Sequence, residues 1–165
     1  MDHLIDVHGC RRIAFLRGPE GNEDSEWRER GYLQALANHG IAFDPALVGN
    51  GGYDEDLAQG VVQAWLQDGL SLDAIFAGDD DAALGALAAL RRAGVRVPQD
   101  VAVVGFDDVT LSRHVMPPLT TVRSPIEQVG RQAVLQLVKC IHNEPVEPVT
   151  LLRTELVIRQ SCGCS

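Results

Sequence analysis

The chain has 165 residues, of which 45% are hydrophobic and 22% are charged, and it carries a formal net charge of −9. This composition is typical of one soluble globular domain, and the negative charge excludes a nucleic-acid-binding surface built from these residues. Because no apolar run reaches membrane-spanning length and the amino terminus lacks the basic start of a secretory signal, we expect a cytoplasmic protein with no membrane partner.

The first elements alternate between short apolar strands and longer helices. Residues 1–10 are typical of the last turns of a helix that Gly9 ends, and residues 13–16 predict a buried strand. The helix that follows presents five residues on one face: Arg28, Tyr32, Ala35, Leu36 and His39. A guanidinium on a core-facing stripe is costly unless it is paired, so Arg28 is a candidate site residue.

A second strand at residues 47–48 leads through a glycine-rich turn into another helix. Asp54 is its predicted N-cap, and Tyr53 stands immediately before that cap. The predicted inner face of this helix consists of Leu57, Val61, Ala64 and Trp65.

Residues 73–108 predict a complete strand, helix and strand unit. The apolar run 74–77 stops at three carboxylates, Asp79, Asp80 and Asp81, and the run 101–106 stops at Asp107 and Asp108. Between them, Leu84, Leu87 and Leu90 recur at helical spacing. Strands joined in this way run parallel with a right-handed crossover, so the sequence predicts an α/β fold with a parallel sheet flanked by helices.

The last third predicts one long helix between strands. Residues 119–122 are extended, and Ser124-Pro125-Ile126-Glu127 has the pattern of a capping box with proline at the first helical position. The helix runs to about Ile141 with a continuous apolar face. Residues 149–152 and 155–158 predict two closing strands.

Five polar side chains come shortly after predicted strands, and the carboxyl ends of parallel strands share one edge of a sheet. They are Arg28, Tyr53, Asp79, Asp80 and Asp107. Carboxylates that accept from hydroxyls, a forked guanidinium and an aromatic face together suit a sugar or a similar polyol. Other interpretations stay open: Asp79 to Asp81 can cap a helix, Arg28 can pair with Asp107, and Tyr53 can simply pack. Asp80 and Asp108 are assigned capping or supporting roles.

Catalysis and metal binding are not predicted. Strand-end carboxylates also occur in receivers and magnesium-dependent phosphotransferases, but the single lysine, Lys139, lies on a later helix, and the hydrolase, Walker A and dinucleotide motifs are missing. We therefore predict no enzyme and no cofactor. Cys162 and Cys164 could be half of a metal site, but we find no second Cys or His pair with zinc-like spacing and expect free thiols.

Many short motifs, in order along the chain, resemble the lactose/galactose repressor (LacI/GalR) family, whose ligand-binding region has the fold of periplasmic sugar-binding proteins. They include Gly18-Pro19, Arg28 with Gly31-Tyr32, Gly94-Val95-Arg96-Val97-Pro98, Val104-Gly105-Phe106-Asp107-Asp108 and Arg159-Gln160-Ser161-Cys162. The resemblance implies that Arg28 and Asp107 are the main hydrogen-bonding residues for an effector, that Asp79 is a second carboxylate position and that Tyr53 is an aromatic platform. The family often has asparagine where Asp79 stands.

The resemblance also implies a domain organisation. The whole chain, residues 1–165, would be a sensor fragment: residues 11–123 and 149–160 would form the carboxy-terminal lobe, and 124–142 a crossover helix that packs on an amino-terminal lobe. The implied function is effector sensing by a transcriptional regulator that contacts DNA only through a domain outside this chain. One alternative is a sensor fused to a diguanylate cyclase or kinase, because the Cys162-Gly163-Cys164 tail resembles the tails of sensor regions in such fusions. The other alternative is a secreted periplasmic sugar-binding protein.

Self-association is the last expectation. The helix after Asp79 carries small residues opposite its leucine stripe, namely Ala82, Gly85 and Ala89, and the helix at 124–141 has an apolar face. We therefore expect a homodimer with one or both helices at the contact.

Overall fold

The structure, a computed structural model, describes residues 1–164. Its strands are β1 (Ile13–Arg17), β2 (Val48–Asn50), β3 (Ala74–Ala77), β4 (Ala102–Phe106), β5 (Thr120–Arg123) and β6 (Glu155–Val157). Its α-helices are α1 (Glu23–Asn38), α2 (Glu55–Gln67), α3 (Asp80–Arg92) and α4 (Ile126–Ile141). A π-helical turn covers His3–Val7, and short 3₁₀ turns cover Pro45–Leu47 and Thr110–Arg113.

The six strands form one sheet in the order β2-β1-β3-β4-β5-β6. Strands β1 to β5 are parallel to their neighbours, and β6 pairs with β5 in the antiparallel direction. The predicted α/β class with a parallel sheet is confirmed. The predicted strand at residues 149–152 is wrong, because β6 already occupies that edge of the sheet and the side chains of Val149 and Leu151 are exposed.

The sheet is covered on both faces, as alternate residues of β1 demonstrate. Ala14 and Leu16 point into the cluster formed with α2 and α3, whereas Ile13 and Phe15 point into the cluster formed with α1 and the amino-terminal turn. In the second cluster, Phe15 stacks between Tyr32 and Phe76 at centroid distances of 5.1 and 5.3 Å. Burial on both faces explains why the strands of this parallel sheet are continuous apolar runs.

The packing of α2 against α3 corrects the expected dimer contact. Ala82 and Ala89 are fully buried, and a Cβ added at Gly85 would stand 2.1 Å from the carbonyl oxygen of Glu55. The small residues therefore allow close approach of two helices of the same chain. The prediction that this face of α3 meets a second copy is wrong.

The inner face of α2 also differs from the prediction. The buried residues are Ala58, Val62 and Trp65, while Leu57 is 57% exposed and Ala64 is exposed. The helix is rotated by about one residue because the backbone of its first turn packs against Gly85 of α3. The predicted N-cap is confirmed, since Asp54 accepts a hydrogen bond from the Leu57 amide at 2.9 Å.

Helix α4 begins differently from the predicted capping box. Its N-cap is Pro125, which has no side-chain cap, and the Ser124 hydroxyl donates to Asp107 Oδ1 instead. None of the residues of α4 is buried, and its apolar side chains, such as Ile141 at 68% exposure, face away from the core. None of the helices in residues 1–164 is long and apolar enough to cross a membrane.

Candidate functional site

A single open cleft of about 1320 Å³ receives the four residues predicted to bind ligand. Arg28 comes from the second turn of α1, Tyr53 from the turn between β2 and α2, and Asp79 and Asp107 from the ends of β3 and β4. The cleft lies beyond the carboxyl ends of the parallel strands, where α/β sheets bind their ligands. The opposite wall is formed by α4 and residues 147–154.

Arg28 is held by one hydrogen bond and two aromatic rings. Its Nη1 donates to the carbonyl oxygen of Gly78 at 2.8 Å, and its guanidinium carbon lies 4.1 Å from the centroid of the Phe106 ring and 5.2 Å from that of Tyr53. Its Nη2 is 3.8 Å from Asp107 Oδ1, which is longer than a hydrogen bond. With 15% of the side chain exposed, the guanidinium is fixed in orientation and still has donors that face the cleft.

Asp79 is the N-cap of α3, as one of the open interpretations stated. Its Oδ1 accepts a hydrogen bond from the Ala82 amide at 2.9 Å, and the residue is 8% exposed. Burial raises the pKa of the Asp79 carboxyl to about 6, and the charges of Asp81 and Asp107 add to the rise. The hydrogen bond from the Ala82 amide lowers the pKa and so offsets part of this rise. Asp79 therefore lines the cleft as an acid whose negative charge is poorly solvated, which favours ligands that donate hydrogen bonds to it.

Asp107 is presented by a strained backbone. Its φ is 107°, in the region that favours glycine, and its amide donates to the Val122 carbonyl at 2.7 Å. Its Oδ1 accepts from the Ser124 hydroxyl at 3.3 Å. Such strain persists only where the surrounding structure enforces it, and it is concentrated at sites that hold ligands. The side chain remains about one third exposed toward the cleft.

Tyr53 contributes a ring and a buried hydroxyl. A Cβ added at Gly18 would lie 2.2 Å from the ring, so the glycine of the predicted Gly18-Pro19 turn makes room for the aromatic side chain. Among residues 1–164, the buried Tyr53 hydroxyl has no partner at full hydrogen-bonding geometry, although the side chains of Ser25 and Arg28 lie close enough to lower its pKa. Burial raises the pKa of this hydroxyl, and the Arg28 charge opposes the rise. Tyr53 therefore offers its ring to the cleft, whereas its hydroxyl oxygen is buried.

Asp80 and Asp108 support the cleft from outside it. Asp80 is buried and accepts from the Ser112 and Thr121 hydroxyls, both at 2.6 Å, and from the Val109 amide at 2.9 Å. Although those donors lower it, the pKa of Asp80 is raised, chiefly by burial. These bonds tie the start of α3 to β5 and to the turn after β4.

The side chain of Asp108 is 1% exposed and pairs with three arginines, Arg113, Arg123 and Arg159. Burial alone would raise the pKa of this carboxyl, but hydrogen bonds from Arg159 and Arg123 outweigh burial and lower the pKa. Asp108 also has a positive φ of 56°. The residue therefore anchors the turn that presents Asp107.

The structure adds three cleft residues that sequence analysis missed. Phe106 lies under the Arg28 guanidinium, Ser124 orients Asp107, and Trp27 lines the cleft with 58% of its surface exposed. An exposed tryptophan next to a core-facing arginine was a usable signal. Ser124 could not have been found, because its pattern matched a helix cap.

The arrangement combines a fixed guanidinium, two carboxylates and aromatic faces in an open cleft. This donor and acceptor set suits a polyhydroxylated ligand. The sheet order and the position of the cleft define one lobe of a periplasmic-binding-protein-like domain.

Comparison with known proteins agrees with this class. The profile of the periplasmic binding protein-like domain matches residues 1–162. The chain is 42% identical over 159 residues to the HTH-type transcriptional regulator CelR of Thermobifida fusca, covering 96% of this chain and 46% of CelR. It is 35% identical over 154 residues to the HTH-type transcriptional repressor CytR of Escherichia coli, covering 93% and 45%.

Two solved structures are closely similar. A CelR–cellobiose complex superimposes with a TM-score of 0.89 at 40% identity over 95% of this chain and 48% of that one. A dimeric Lac repressor superimposes with a TM-score of 0.90 at 29% identity over 97% and 58%. The chain belongs to the LacI/GalR family and contains its effector-binding fold. It spans about half the length of the curated relatives it matches.

Proposed function

We propose that the cleft binds a sugar or a closely related polyol and that this chain is the effector-binding part of a LacI-family transcriptional regulator. The observation that carries the proposal is the Arg28 guanidinium, held between Phe106 and Tyr53 with Asp79 and Asp107 beside it. The carboxylates accept hydrogen bonds from ligand hydroxyls, the guanidinium donates to ring or hydroxyl oxygens, and the aromatic faces cover C–H surfaces.

The ligand class is narrowed by the similarity to CelR, whose solved complex contains cellobiose. The exposed Trp27 adds an aromatic surface beside the other cleft residues, which also favours a ligand longer than one sugar ring. We therefore place cellobiose and other disaccharides first in a binding panel, followed by monosaccharides and sugar phosphates.

We also propose the division into lobes that the family implies. Residues 11–123 and 149–160 form one lobe, and α4, within residues 124–142, packs against a second lobe, because no residue of α4 is buried here and apolar side chains such as Leu137 and Ile141 are exposed outside the cleft. Ligand held between two lobes shifts their balance toward the closed arrangement by its differential affinity for that state. No chemical step on the ligand is involved.

DNA control is proposed to reside outside these residues. The chain has a net charge of −9, and the relatives are HTH-type regulators about twice its length. Such regulators act in the cytoplasm, where closure would change the spacing of paired DNA-binding regions. We further propose a homodimer by relation to the dimeric Lac repressor, with a contact that excludes the buried small face of α3.

Isothermal titration calorimetry of the full gene product against the sugar panel tests the binding proposal. Arg28→Ala and Asp107→Ala should each lose about 1.5–3 kcal/mol of binding free energy, which is an affinity weaker by about 10- to 150-fold. Arg91→Ala and Asp56→Ala, at exposed positions outside the cleft, serve as matched controls.

Unchanged affinity in both cleft variants would refute the site, and no binding to any neutral or phosphorylated sugar would refute the ligand class. The same event could drive a different output, such as a fused cyclase or kinase. Sugar-dependent release of a DNA operator by the full gene product distinguishes regulation of transcription from those alternatives.

A further inference from the structure

Four metal-ligating side chains meet at the edge of the sheet opposite the cleft. Within the part of the chain that the structure describes, His3, His8, Cys162 and Cys164 place their ligand atoms within 4.8 Å of one another. Cys162 lies against Thr120, the first residue of β5, whereas the cleft residues follow the last residues of β3 and β4. The cluster is therefore separate from the candidate sugar site.

Three of the six ligand-atom distances within this cluster match a tetrahedral metal site, and Cys162 Sγ lies within 4.8 Å of the other three ligand atoms. The two Nε2 atoms of His3 and His8 are 3.2 Å apart, and Cys164 Sγ lies 3.6 and 3.5 Å from them. With Zn–N of about 2.0 Å and Zn–S of about 2.3 Å, tetrahedral geometry requires an N–N edge of about 3.3 Å and N–S edges of about 3.5 Å. The three edges agree with this geometry to about 0.1 Å.

The local backbone explains why two histidines five residues apart converge. Residues His3–Val7 form a π-helical turn, whose wider winding brings positions i and i+5 onto one face. In an α-helix the same spacing would turn the two rings well apart. Such π-helical turns occur mainly at functional sites. The rings meet edge to face at a centroid distance of 4.9 Å.

The surroundings also suit a bound metal. Cys162 is 2% exposed, and the Thr120 hydroxyl lies 3.1 Å from its sulfur, positioned to donate to a thiolate. The cluster holds two histidines and two cysteines, whose thiolates neutralise a divalent cation. Closed Cys₂His₂ sets select zinc in a structural role over the oxygen-preferring magnesium and calcium.

We propose that His3, His8, Cys162 and Cys164 form a structural zinc site that clamps the amino-terminal turn to the carboxy-terminal segment. Each cysteine is 154 to 161 positions from each histidine, so the metal closes nearly the whole described chain into one loop. The expectation that no second pair accompanies the two cysteines is wrong. The His3 to His8 spacing, with four residues between, lies within the usual range for zinc ligands.

The untagged full gene product, purified under reducing conditions without added chelator, is tested by metal analysis. We expect a single zinc ion per chain, and on replacement by Co(II) the thiolate charge-transfer and d–d absorption of a tetrahedral site. Removal of zinc by a strong chelator should lower the melting temperature by about 5–10 °C, and added Zn(II) should restore it.

The first variant pair compares Cys164→Ser with Cys140→Ser, since Cys164 is half-buried in the cluster and Cys140 is exposed on α4. The second compares His8→Gln with the exposed His142→Gln. Loss of a hydrogen bond that only supports a ligand lowers metal affinity by about 10–100-fold. The cluster variants should lose more zinc affinity than that, and the zinc affinity of the control variants should not change. Retained stability in apo Cys164→Ser separates loss of metal from loss of the fold.

Three results would overturn the proposal. They are the absence of Zn(II) and Co(II) binding at micromolar metal, equal zinc content in Cys164→Ser and the parent protein, and a Cys162–Cys164 disulfide in the protein as isolated. Sugar binding by the metal-free protein does not bear on this outcome, because none of the four proposed ligands lines the cleft.

Discussion

Replacement of Asp79 by asparagine separates the folding cost of this residue from its role in the cleft. Asn keeps the shape of the side chain and an oxygen that can accept the Ala82 amide hydrogen bond, now 2.9 Å long, and it is an equally good N-cap. The substitution removes only the charge. We expect Asp79→Asn to stabilise the ligand-free protein at neutral pH and to weaken sugar binding.

The magnitude follows from the raised pKa of Asp79. The pKa rises from 3.8 to about 6, chiefly because the carboxyl is buried. The folded chain therefore holds this proton more tightly than the unfolded chain, and the stability contributed by protonation is complete below about pH 4 and lost as the pH rises through 6. At 1.36 kcal/mol per pKa unit, ionised Asp79 costs about 3 kcal/mol at pH 7.5 and about 1 kcal/mol at pH 4.5.

Thermal and urea unfolding at the two pH values measure this difference directly. Asp79→Asn should exceed the parent protein by about 6–12 °C in melting temperature at pH 7.5 and by about 2–4 °C at pH 4.5. Asp68→Asn, at the exposed C-cap of α2, is the control and should change stability by less than about 0.5 kcal/mol at either pH. A gap that stays constant between the two pH values, or an Asn variant that is less stable at pH 7.5, would refute the reasoning.

Three further predictions concern packing and buried polar groups. In urea unfolding, Gly85→Ala should lower the free energy of unfolding by about 1–3 kcal/mol or more, because the new Cβ would meet the Glu55 carbonyl. Gly60→Ala, which has open space around it, should raise that free energy by about 0.5–1 kcal/mol. Equal effects of the two variants would refute the close packing of α2 and α3. Asp108→Ala should cost about 3 kcal/mol by leaving the largely buried Arg159 guanidinium unpaired, and a loss below about 1 kcal/mol would contradict the buried Arg159–Asp108 pair. Tyr53→Phe should leave stability unchanged or raise it by about 1 kcal/mol, because the buried hydroxyl has no partner at full hydrogen-bonding geometry, and a loss of stability would mean that the hydroxyl is paired.

The cleft could be predicted from sequence because its residues follow from local rules. Apolar runs that end at Asp79 and Asp107 mark the carboxyl ends of two strands, and parallel topology places those ends together. The cap role of Asp79 needs only the three residues that follow it. The same short range explains why Arg28 was recognised, since its helix stripe spans a few turns.

The errors came from contacts that no local pattern encodes. Ser124 matches a helix cap in sequence but donates to Asp107, which is 17 positions earlier. In sequence, the small residues around Gly85 are as typical of a dimer surface as of a contact with another helix of the same chain. Only the placement of α2 against α3 decides between these interpretations.

The sequence by itself determined the α/β class, the strand ends, the helix caps at Asp54 and Asp79 and four residues of the candidate cleft. These features depend on side-chain periodicity and on hydrogen bonds within a few residues. The tertiary structure alone decided the ring sandwich around Arg28 and the meeting of His3 and His8 with Cys162 and Cys164. Residues more than 150 positions apart come together only when the sheet and its two faces of helices are complete, because burial of the core brings the chain ends to one edge.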